Sequence, residues 1–215
     1  PDGIEFETAA GMLLKAMTVD FLTGRSYSVK AGDTVLFHAA AGGVGLIACQ
    51  WLKHLGATVI GTVGSAEKAE RARAAGCDHA IVYTADDFAA RVDDITGGAG
   101  VAAVYDSVGQ ATFQRSLDAL APRGSLVCFG AASGSIPPVA PSVLAAKSLS
   151  MTWARLPAYT ARRADLVDSA ARVFAAVLDG TIKVNITHRF PLEDAAEAHR
   201  AIQARTTTGS TILLP

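Results

Sequence analysis

The sequence predicts an α/β protein built on a doubly wound parallel sheet of about six strands, and two patterns carry that prediction. Short apolar runs of strand type alternate with helical stretches between residues 34 and 130. The strand runs are apolar throughout, which is typical of parallel strands covered by helices on both faces. With 215 residues, of which 50% are hydrophobic, the chain can bury a substantial core.

The elements follow one another in chain order. Apolar positions at helical spacing predict a first helix over residues 5–24, with Gly24 as its natural stop. The alternating part is predicted as strand 35–39, helix 43–55, strand 58–63, helix 66–76 capped by Ser65, strand 79–83, helix 86–96, strand 101–106, helix 111–120 and strand 125–130.

The alternation stops after Gly130. Small residues and prolines over 131–141 predict a loop, followed by a short helix and a sixth strand over 150–154. A long helix over 160–178, an isolated strand over 184–187, a helix over 193–205 and a final strand over 211–214 come next. These last pieces do not continue the βα pattern, so we expect them to belong to a different structural unit.

Composition narrows the classes of partner. Lys and Arg number 19 against 20 Asp and Glu, so neither a nucleic acid nor a membrane is expected as a partner. We expect a cytoplasmic protein, because we see no targeting segment and no apolar run of spanning length. Cys49, Cys77 and Cys128 stand in apolar contexts and predict buried free thiols rather than a disulfide framework or a zinc site.

A glycine-rich bend follows the first predicted strand. It has the pattern Ala40-x-Gly42-x-x-Gly45 and leads directly into an apolar helix. Where a strand passes through a bend without side chains into a helix, the first backbone N–H groups of the helix point toward one position. The positive end of the helix dipole lies at the same position, which suits a pyrophosphate. The glycine pattern alone is weak evidence, because glycines also mark ordinary tight turns.

The end of the second predicted strand indicates which dinucleotide is bound. Proteins that bind NAD usually have Asp or Glu there, whereas this chain has Gly64 and Ser65, with Lys68 three residues further on and Tyr83 closing the next strand. A cation and two hydroxyl groups with no carboxylate favour a 2′-phosphate, and therefore NADPH. The alternative is a solvated helix cap with Lys68 on the surface.

Two further segments end predicted strands at the edge where ligands bind in open parallel sheets. They are Asp106 to Gly109 and Phe129-Gly130, and each could equally be an ordinary turn. His38 lies among apolar residues and is interpreted as a hydrogen-bonded core histidine. No order or spacing supports a Ser-His-Asp or two-carboxylate arrangement, so the sequence identifies no catalytic residue.

Three segments together resemble a known family. They are residues 38–45 (HAAAGGVG), residues 61–65 (GTVGS) with Lys68, and residues 105–109 (YDSVG). In these, and in its ending at residues 208–215, the chain closely resembles the zinc-independent quinone oxidoreductases of the medium-chain dehydrogenase/reductase superfamily. The resemblance implies a Rossmann coenzyme domain beside a GroES-like catalytic domain, NADPH as hydride donor, a small quinone as acceptor and no metal site.

The resemblance also assigns roles to individual residues. Gly42, Gly43 and Val44 match residues at the pyrophosphate, and Ser65, Lys68 and Tyr83 match residues at the 2′-phosphate, next to Gly64. Ser107, Val108, Gly130 and Ser133 match residues along the adenosine and nicotinamide side, and Arg205 matches an arginine near the cofactor. Phe129 joins the candidate site through its position before Gly130, at the end of the fifth predicted strand. Thr18 matches a threonine beside the nicotinamide, and Phe21 stands where relatives often have a tyrosine.

Members of the family carry a GroES-like domain of about a hundred residues before the position of Pro1. We therefore expect a fragment, in which residues 18–154 form the NADP-binding domain. Residues 1–17 and 155–215 would be a linker and the remnant of an incomplete catalytic domain. Hydride transfer by this chain alone is not expected, because the missing part supplies much of the acceptor pocket.

Two other functions remain open from the sequence. The same NADPH site would serve a reductase of enoyl or other activated alkenes. A binding module that senses NADPH, or binds RNA, without turnover is the alternative from another class. The sixth strand is expected to be an apolar sheet edge, and we expect a homodimer to form through it.

Overall fold

The computed structural model describes residues 1–204 and 206–215, and its centre is a six-stranded parallel sheet. The strand order is β3-β2-β1-β4-β5-β6, which confirms the predicted α/β class. The strands of this sheet are β1 Thr34–Phe37, β2 Thr58–Val63, β3 His79–Val82, β4 Val101–Asp106, β5 Leu120–Cys128 and β6 Ser150–Trp153.

Helices pack on both faces of the sheet. The described helices, in chain order, are α1 Phe6–Phe21, α2 Gly43–His54, α3 Ala66–Ala74, α4 Phe88–Thr96, α5 Phe113–Asp118, α6 Leu156–Tyr159, α7 Arg163–Leu178 and α8 Ala195–Gln203, of which the last three lie away from the sheet. Two 3₁₀ segments, Pro141–Lys147 and Leu192–Asp194, lie among these elements. None of the described helices is long and apolar enough to cross a membrane.

The sheet reverses its direction of growth at β1. Phe37 at the end of β1 is in register with Gly61 of β2 on one side and with Tyr105 of β4 on the other. The chain therefore adds β2 and β3 to one side of β1 and then crosses over to add β4, β5 and β6 to the other. In open α/β sheets the crevice beyond the carboxyl ends of the strands at such a reversal is where ligands bind.

The apolar core consists of two clusters, which the strands share between them. The larger cluster includes Phe37 and Tyr105, whose rings stack 5.5 Å apart, and packs against α1 and α2 residues such as Met12 and Leu52. The smaller cluster includes Leu36 and neighbouring strand residues and packs against α4 and α5. Burial on both sides explains why the strands are apolar throughout.

Several element boundaries differ from the predictions, and two of the differences change how elements connect. The first helix does not stop at Gly24, because α1 passes directly into a π-helical turn, Leu22–Ser26, that contains this glycine. The fifth strand begins at Leu120 rather than at 125, and α5 is correspondingly short. A register shift against β4 lets Leu120 pair with Val101 before the main ladder begins.

The strand predicted as isolated over 184–187 is not isolated. It runs as β7, Ile186–Pro191, and pairs in parallel with the final strand β8, Ser210–Leu214. The Ser210 hydroxyl donates to the Gly11 carbonyl of α1 at 2.9 Å, which ties this two-stranded sheet to the helix. Sequence spacing missed the pairing because α8 separates the two strands along the chain.

Candidate functional site

The glycine bend lies at the carboxyl end of β1, at the reversal point of the sheet. Ala39 adopts a left-handed backbone with φ 55°, which is uncommon for a residue with a side chain and marks local strain. The Gly42 N–H donates to the Ala39 carbonyl at 2.9 Å, and the Leu46 N–H donates to the Gly42 carbonyl at 2.9 Å. The intervening N–H groups begin α2 and have no partner within the helix.

Two glycines of the bend sit where no side chain fits. A Cβ on Gly45 would overlap the Ala39 carbonyl oxygen and lie 2.6 Å from the Ala40 Cα. A Cβ on Gly43 would lie 2.8 Å from the Gly209 carbonyl oxygen. These two positions therefore require glycine. A helix start without side chains leaves its backbone N–H groups accessible, and this is the cradle that binds a phosphate group.

The end of β2 lies next to this cradle. Ser65 caps α3, because its Oγ accepts the Lys68 N–H at 3.3 Å. A Cβ on Gly64 would lie 3.1 Å from the Oη of Tyr83, the residue after β3, so the phenol faces the glycine. The predicted neighbours Gly64, Ser65, Lys68 and Tyr83 are thus brought together at one corner of the sheet.

A cavity of about 600 Å³ opens beside the glycine bend, between the carboxyl ends of β1, β2 and β4. Seven of the predicted site residues line it: Gly42, Gly64, Lys68, Tyr83, Ser107, Val108 and Ser133. Gly43 and Val44 form the first turn of α2, immediately after Gly42. The structure therefore unites the pyrophosphate and 2′-phosphate candidates around one space.

Asp106 organises the wall of the cavity below Ser107 and Val108. Its Oδ1 accepts the N–H groups of Val108 at 2.7 Å and Gly109 at 3.0 Å. Its Oδ2 accepts the hydroxyls of Thr112 at 2.7 Å and Ser116 at 3.1 Å. The carboxylate is fully buried, so these four donors replace its water shell and hold the turn in one conformation.

Ser133 links two loops of the cavity. Its hydroxyl donates to the Val108 carbonyl at 2.8 Å and accepts the Ala111 N–H at 3.0 Å. Nearby, a Cβ on Gly130 would lie 2.8 Å from the Ser107 carbonyl oxygen, so this contact also requires glycine. The half-buried Phe129 packs against Phe37 with ring centres 5.7 Å apart.

Two predicted site residues of α1 stand apart from the cavity. The Thr18 hydroxyl donates to the Leu14 carbonyl of its own helix at 2.7 Å. Phe21 is 2% exposed and stacks on Tyr159 at 4.5 Å between ring centres. Neither residue lines the cavity. Arg205 lies outside the described residues.

Sequence reasoning missed several residues of the cavity wall. His38 directly follows β1 and Thr62 is the second-last residue of β2, and this position at the carboxyl edge of the sheet was the signal that could have identified them. Phe88 and Arg115 also line the cavity, with the guanidinium carbon 4.9 Å from the ring centre. No local pattern marks this second pair. The other missed lining residues are Ala39, Ala41, Val63, Ala111, Thr112, Ala132, Ile202 and Thr207.

The described residues hold no group of three or more His, Cys, Asp or Glu side chains that could bind a metal ion. Cys49, Cys77 and Cys128 are free and buried, as predicted. A second depression, of about 640 Å³, lies at the carboxyl ends of β7 and β8 and is lined by none of the predicted site residues.

The strand order, the bare helix start at the reversal point and the adjoining cavity define a dinucleotide-binding protein of the Rossmann class. Residues 43–172 match the family described as zinc-binding dehydrogenase. The chain thus belongs to the medium-chain dehydrogenase/reductase superfamily, and within it to the quinone oxidoreductase family.

Individual relatives are similar over nearly the whole chain. A quinone oxidoreductase of Pseudomonas aeruginosa is 48% identical over 100% of this chain, which spans 66% of that relative's length. A 2-haloacrylate reductase of a Burkholderia species is 47% identical over 96% of this chain, and the match spans 62% of the reductase's own length. The crystal structure of Escherichia coli quinone oxidoreductase complexed with NADPH has a TM-score of 0.97 at 45% identity, covering 100% of this chain and 67% of that one.

Proposed function

We propose that this chain is the coenzyme-binding part of an NADPH-dependent quinone oxidoreductase, which transfers a hydride or electrons from NADPH to a small quinone. The observation that carries the proposal is the corner formed by Gly64, Ser65, Lys68 and Tyr83 beside the glycine cradle. The names of the Pseudomonas and Escherichia coli relatives support the reaction, and the crystal structure of the Escherichia coli enzyme complexed with NADPH supports the cofactor.

The preference for NADPH over NADH follows from the charges at the end of β2. A carboxylate in the position of Gly64 would bind the ribose 2′-hydroxyl of NADH and repel a 2′-phosphate. This chain has Lys68 and the hydroxyl groups of Ser65 and Tyr83 instead. Lys68 and Tyr83 line the cavity. Ser65 accepts a hydrogen bond as the cap of α3, yet its hydroxyl hydrogen can still be donated to an anion.

The residues present fit the dinucleotide, because the cradle consists of glycines whose missing side chains leave room for phosphate oxygens. When bound, NADPH supplies the hydride. In this proposal the first turn of α2 holds the pyrophosphate, Asp106 holds the turn carrying Ser107 and Val108 in place, and the surrounding walls exclude water. We assign none of the described side chains as a proton donor, and water can protonate the reduced quinone.

Titration of the chain with NADPH and NADH, followed by cofactor fluorescence, tests the coenzyme assignment. We expect NADPH to bind at least about tenfold more tightly, corresponding to one charge-assisted contact to the 2′-phosphate. Equal affinities would overturn the assignment. Turnover of NADPH with simple quinones, measured on the chain joined to its upstream residues, tests the reaction itself.

A second reaction is favoured by one observation. The 47% identical relative named 2-haloacrylate reductase acts, by its name, on an activated alkene rather than a quinone. The same assay with quinones, enones and 2-haloacrylates in parallel separates the two reactions. Tight NADPH binding without turnover of any acceptor would favour the non-catalytic binding module.

We also propose that residues 18–154 form the coenzyme domain and that 1–17 and 155–215 belong with a GroES-like domain. Exposed apolar side chains in these outer segments, such as Phe6 at 93% and Leu192 at 58%, support this division. Zinc independence is also part of the proposal. Its support is that the three cysteines are buried, so none is exposed to bind zinc. Free thiols fit the proposed cytoplasmic location.

We also propose that two copies of the chain form a homodimer through the exposed edge of β6. β6 is the last strand of the sheet order, and Trp153 on it is 47% exposed. An exposed strand edge offers unpaired backbone groups to a second copy. Light scattering at high concentration is expected to give a dimer, and Trp153→Lys to give a monomer. Leu192→Lys, on a different surface, is the matched control and should leave the dimer intact.

A further inference from the structure

Lys15 of α1 lies directly over the start of α2. A Cβ on Gly43 would be 2.6 Å from the Lys15 Cε and 2.8 Å from its Cδ, so the lysine side chain occupies the space that a side chain at Gly43 would fill. Two elements distant in sequence therefore meet at the first residue of the phosphate cradle, and one of them carries a cation.

The Lys15 ammonium has few partners among the described residues. Its Nζ donates to the Gly11 carbonyl at 3.2 Å, and none of the ion pairs within the described chain includes Lys15. An ammonium group has three donors, so two are available. The side chain is half-buried, and burial lowers the pKa of Lys15 below its ordinary value.

This placement is unfavourable unless an anion is bound. The N-terminus of α2 carries the positive end of the helix dipole, and Lys15 adds a partly desolvated positive charge next to it. None of the ion pairs among the described residues gives the Lys15 ammonium a carboxylate partner. A phosphate group between the lysine and the helix start would satisfy both.

We infer that Lys15 binds the pyrophosphate of the dinucleotide, together with the N–H groups of Gly43 and Val44. The inference rests on the proposed function and adds a residue to it that lies outside the glycine pattern. Because the pyrophosphate is common to NADPH and NADH, Lys15 strengthens the binding of both cofactors equally. Lys68, at the 2′-phosphate corner, distinguishes between them.

The test compares four ligands on the 215-residue chain. NADPH, NADH and 2′-phospho-ADP-ribose contain the pyrophosphate, whereas 2′-AMP contains only the 2′-phosphate and the adenosine. Lys15→Met keeps the aliphatic cover over Gly43 and removes the charge. Lys15→Arg keeps the charge. Lys30→Met removes an exposed lysine from the loop before β1, at the opposite edge of the sheet, and serves as the matched control.

We expect Lys15→Met to raise the Kd for NADPH, NADH and 2′-phospho-ADP-ribose by about tenfold and to leave 2′-AMP unchanged. Lys15→Arg should restore most of the affinity, and Lys30→Met should match the unsubstituted chain. The dependence of the Kd on salt should weaken in Lys15→Met, because one phosphate contact is lost.

Unchanged affinity for the pyrophosphate ligands in Lys15→Met would overturn the inference, and so would an equal loss for 2′-AMP, which would indicate a general structural defect. Thermal unfolding of each variant checks that it is folded, and Lys15→Arg supplies a second reading should Lys15→Met unfold. If the unsubstituted chain binds NADPH and only the Lys15 effect is missing, the proposed function stands. If the unsubstituted chain binds none of the ligands, both proposals fail.

Discussion

The Nε2 of His38 lies 4.0 Å from the Oδ2 of Asp106, and both side chains are buried at the carboxyl edge of the sheet. The Ser116 hydroxyl, 3.0 Å from that nitrogen, donates to the carboxylate, so His38 donates from Nε2 to Ser116. The other ring nitrogen, Nδ1, then accepts from Thr62 at 2.8 Å. In this arrangement the imidazole is neutral. His38 therefore contacts Asp106 through the Ser116 hydroxyl and does not form an ion pair with it.

His38 makes the folded chain sensitive to acid. Burial lowers the pKa of His38 to about 4, with the nearby Arg115 charge acting in the same direction and Asp106 opposing it. The unfolded chain binds a proton near pH 6.5 that the folded chain resists, so stability is present above that pH and is lost as the pH falls towards 4. The loss amounts to about 3 kcal/mol.

Urea unfolding of the chain and of His38→Asn, measured at several pH values, isolates this contribution. Other acidic groups titrate in both proteins and cancel in the difference. The stability advantage of the unsubstituted chain should be largest near neutral pH and shrink as the pH falls. A difference that does not vary with pH would contradict the neutral, buried histidine.

Gly45→Ala tests the bare bend. The added Cβ would overlap the Ala39 carbonyl and lie 2.6 Å from the Ala40 Cα, and backbone atoms cannot move aside cheaply. We expect a loss of about 1–3 kcal/mol in the free energy of unfolding, together with weaker NADPH binding. Gly24→Ala is the matched control, because a Cβ there meets nothing within 4 Å. Equal stability of the two variants would count against the close approach.

Local patterns were sufficient to predict the six strands of the main sheet and the glycine bend, because each strand is a buried apolar run and the bend needs glycines. They were insufficient for the contact between His38 and Asp106, which arises because β1 and β4 are neighbours although two other strands separate them in sequence. Strand order depends on how helices pack across the sheet, and the hydrophobic periodicity of one sequence does not specify that order.

The same limit applies to Lys15. Its position in an amphipathic helix gives no sign that it lies over Gly43, since that contact depends on how α1 packs against α2. Residues following strands at the carboxyl edge, such as Ser107 and Gly64, were predictable because the edge itself is a rule of the fold. Residues that reach the edge from outside the sheet were not.

Gly64→Asp tests the charge preference at the end of β2. A carboxylate at this position faces the corner with Lys68 and Tyr83, so it should repel a 2′-phosphate and leave NADH binding nearly unchanged. We expect the NADPH Kd to rise by about tenfold or more. Gly64→Asn has the same shape without the charge, and it separates repulsion from crowding against the Tyr83 hydroxyl. Equal losses in both variants would argue for crowding alone.

Asp20 joins α1 to α7 and gives the last prediction. Its carboxylate accepts two hydrogen bonds from Arg172, at 2.7 Å and 2.8 Å, and one from the Ser169 hydroxyl at 2.7 Å. Asp20 is 5% exposed, so its loss leaves buried donors poorly matched. Because the Arg172 side chain is 48% exposed and partly screened by water, we expect Asp20→Asn to cost only about 2 kcal/mol in unfolding free energy.

Denaturant unfolding measures this cost, and Arg91→Gln provides the comparison. Arg91 pairs with Asp94 at 3.0 Å on the surface, with side chains 49% and 66% exposed, so removing that pair should cost less than about 1 kcal/mol. If Asp20→Asn proves no more costly than Arg91→Gln, the contact does not hold α1 against α7. A clear excess would identify it as the polar anchor of the helix that carries Lys15 to the cradle.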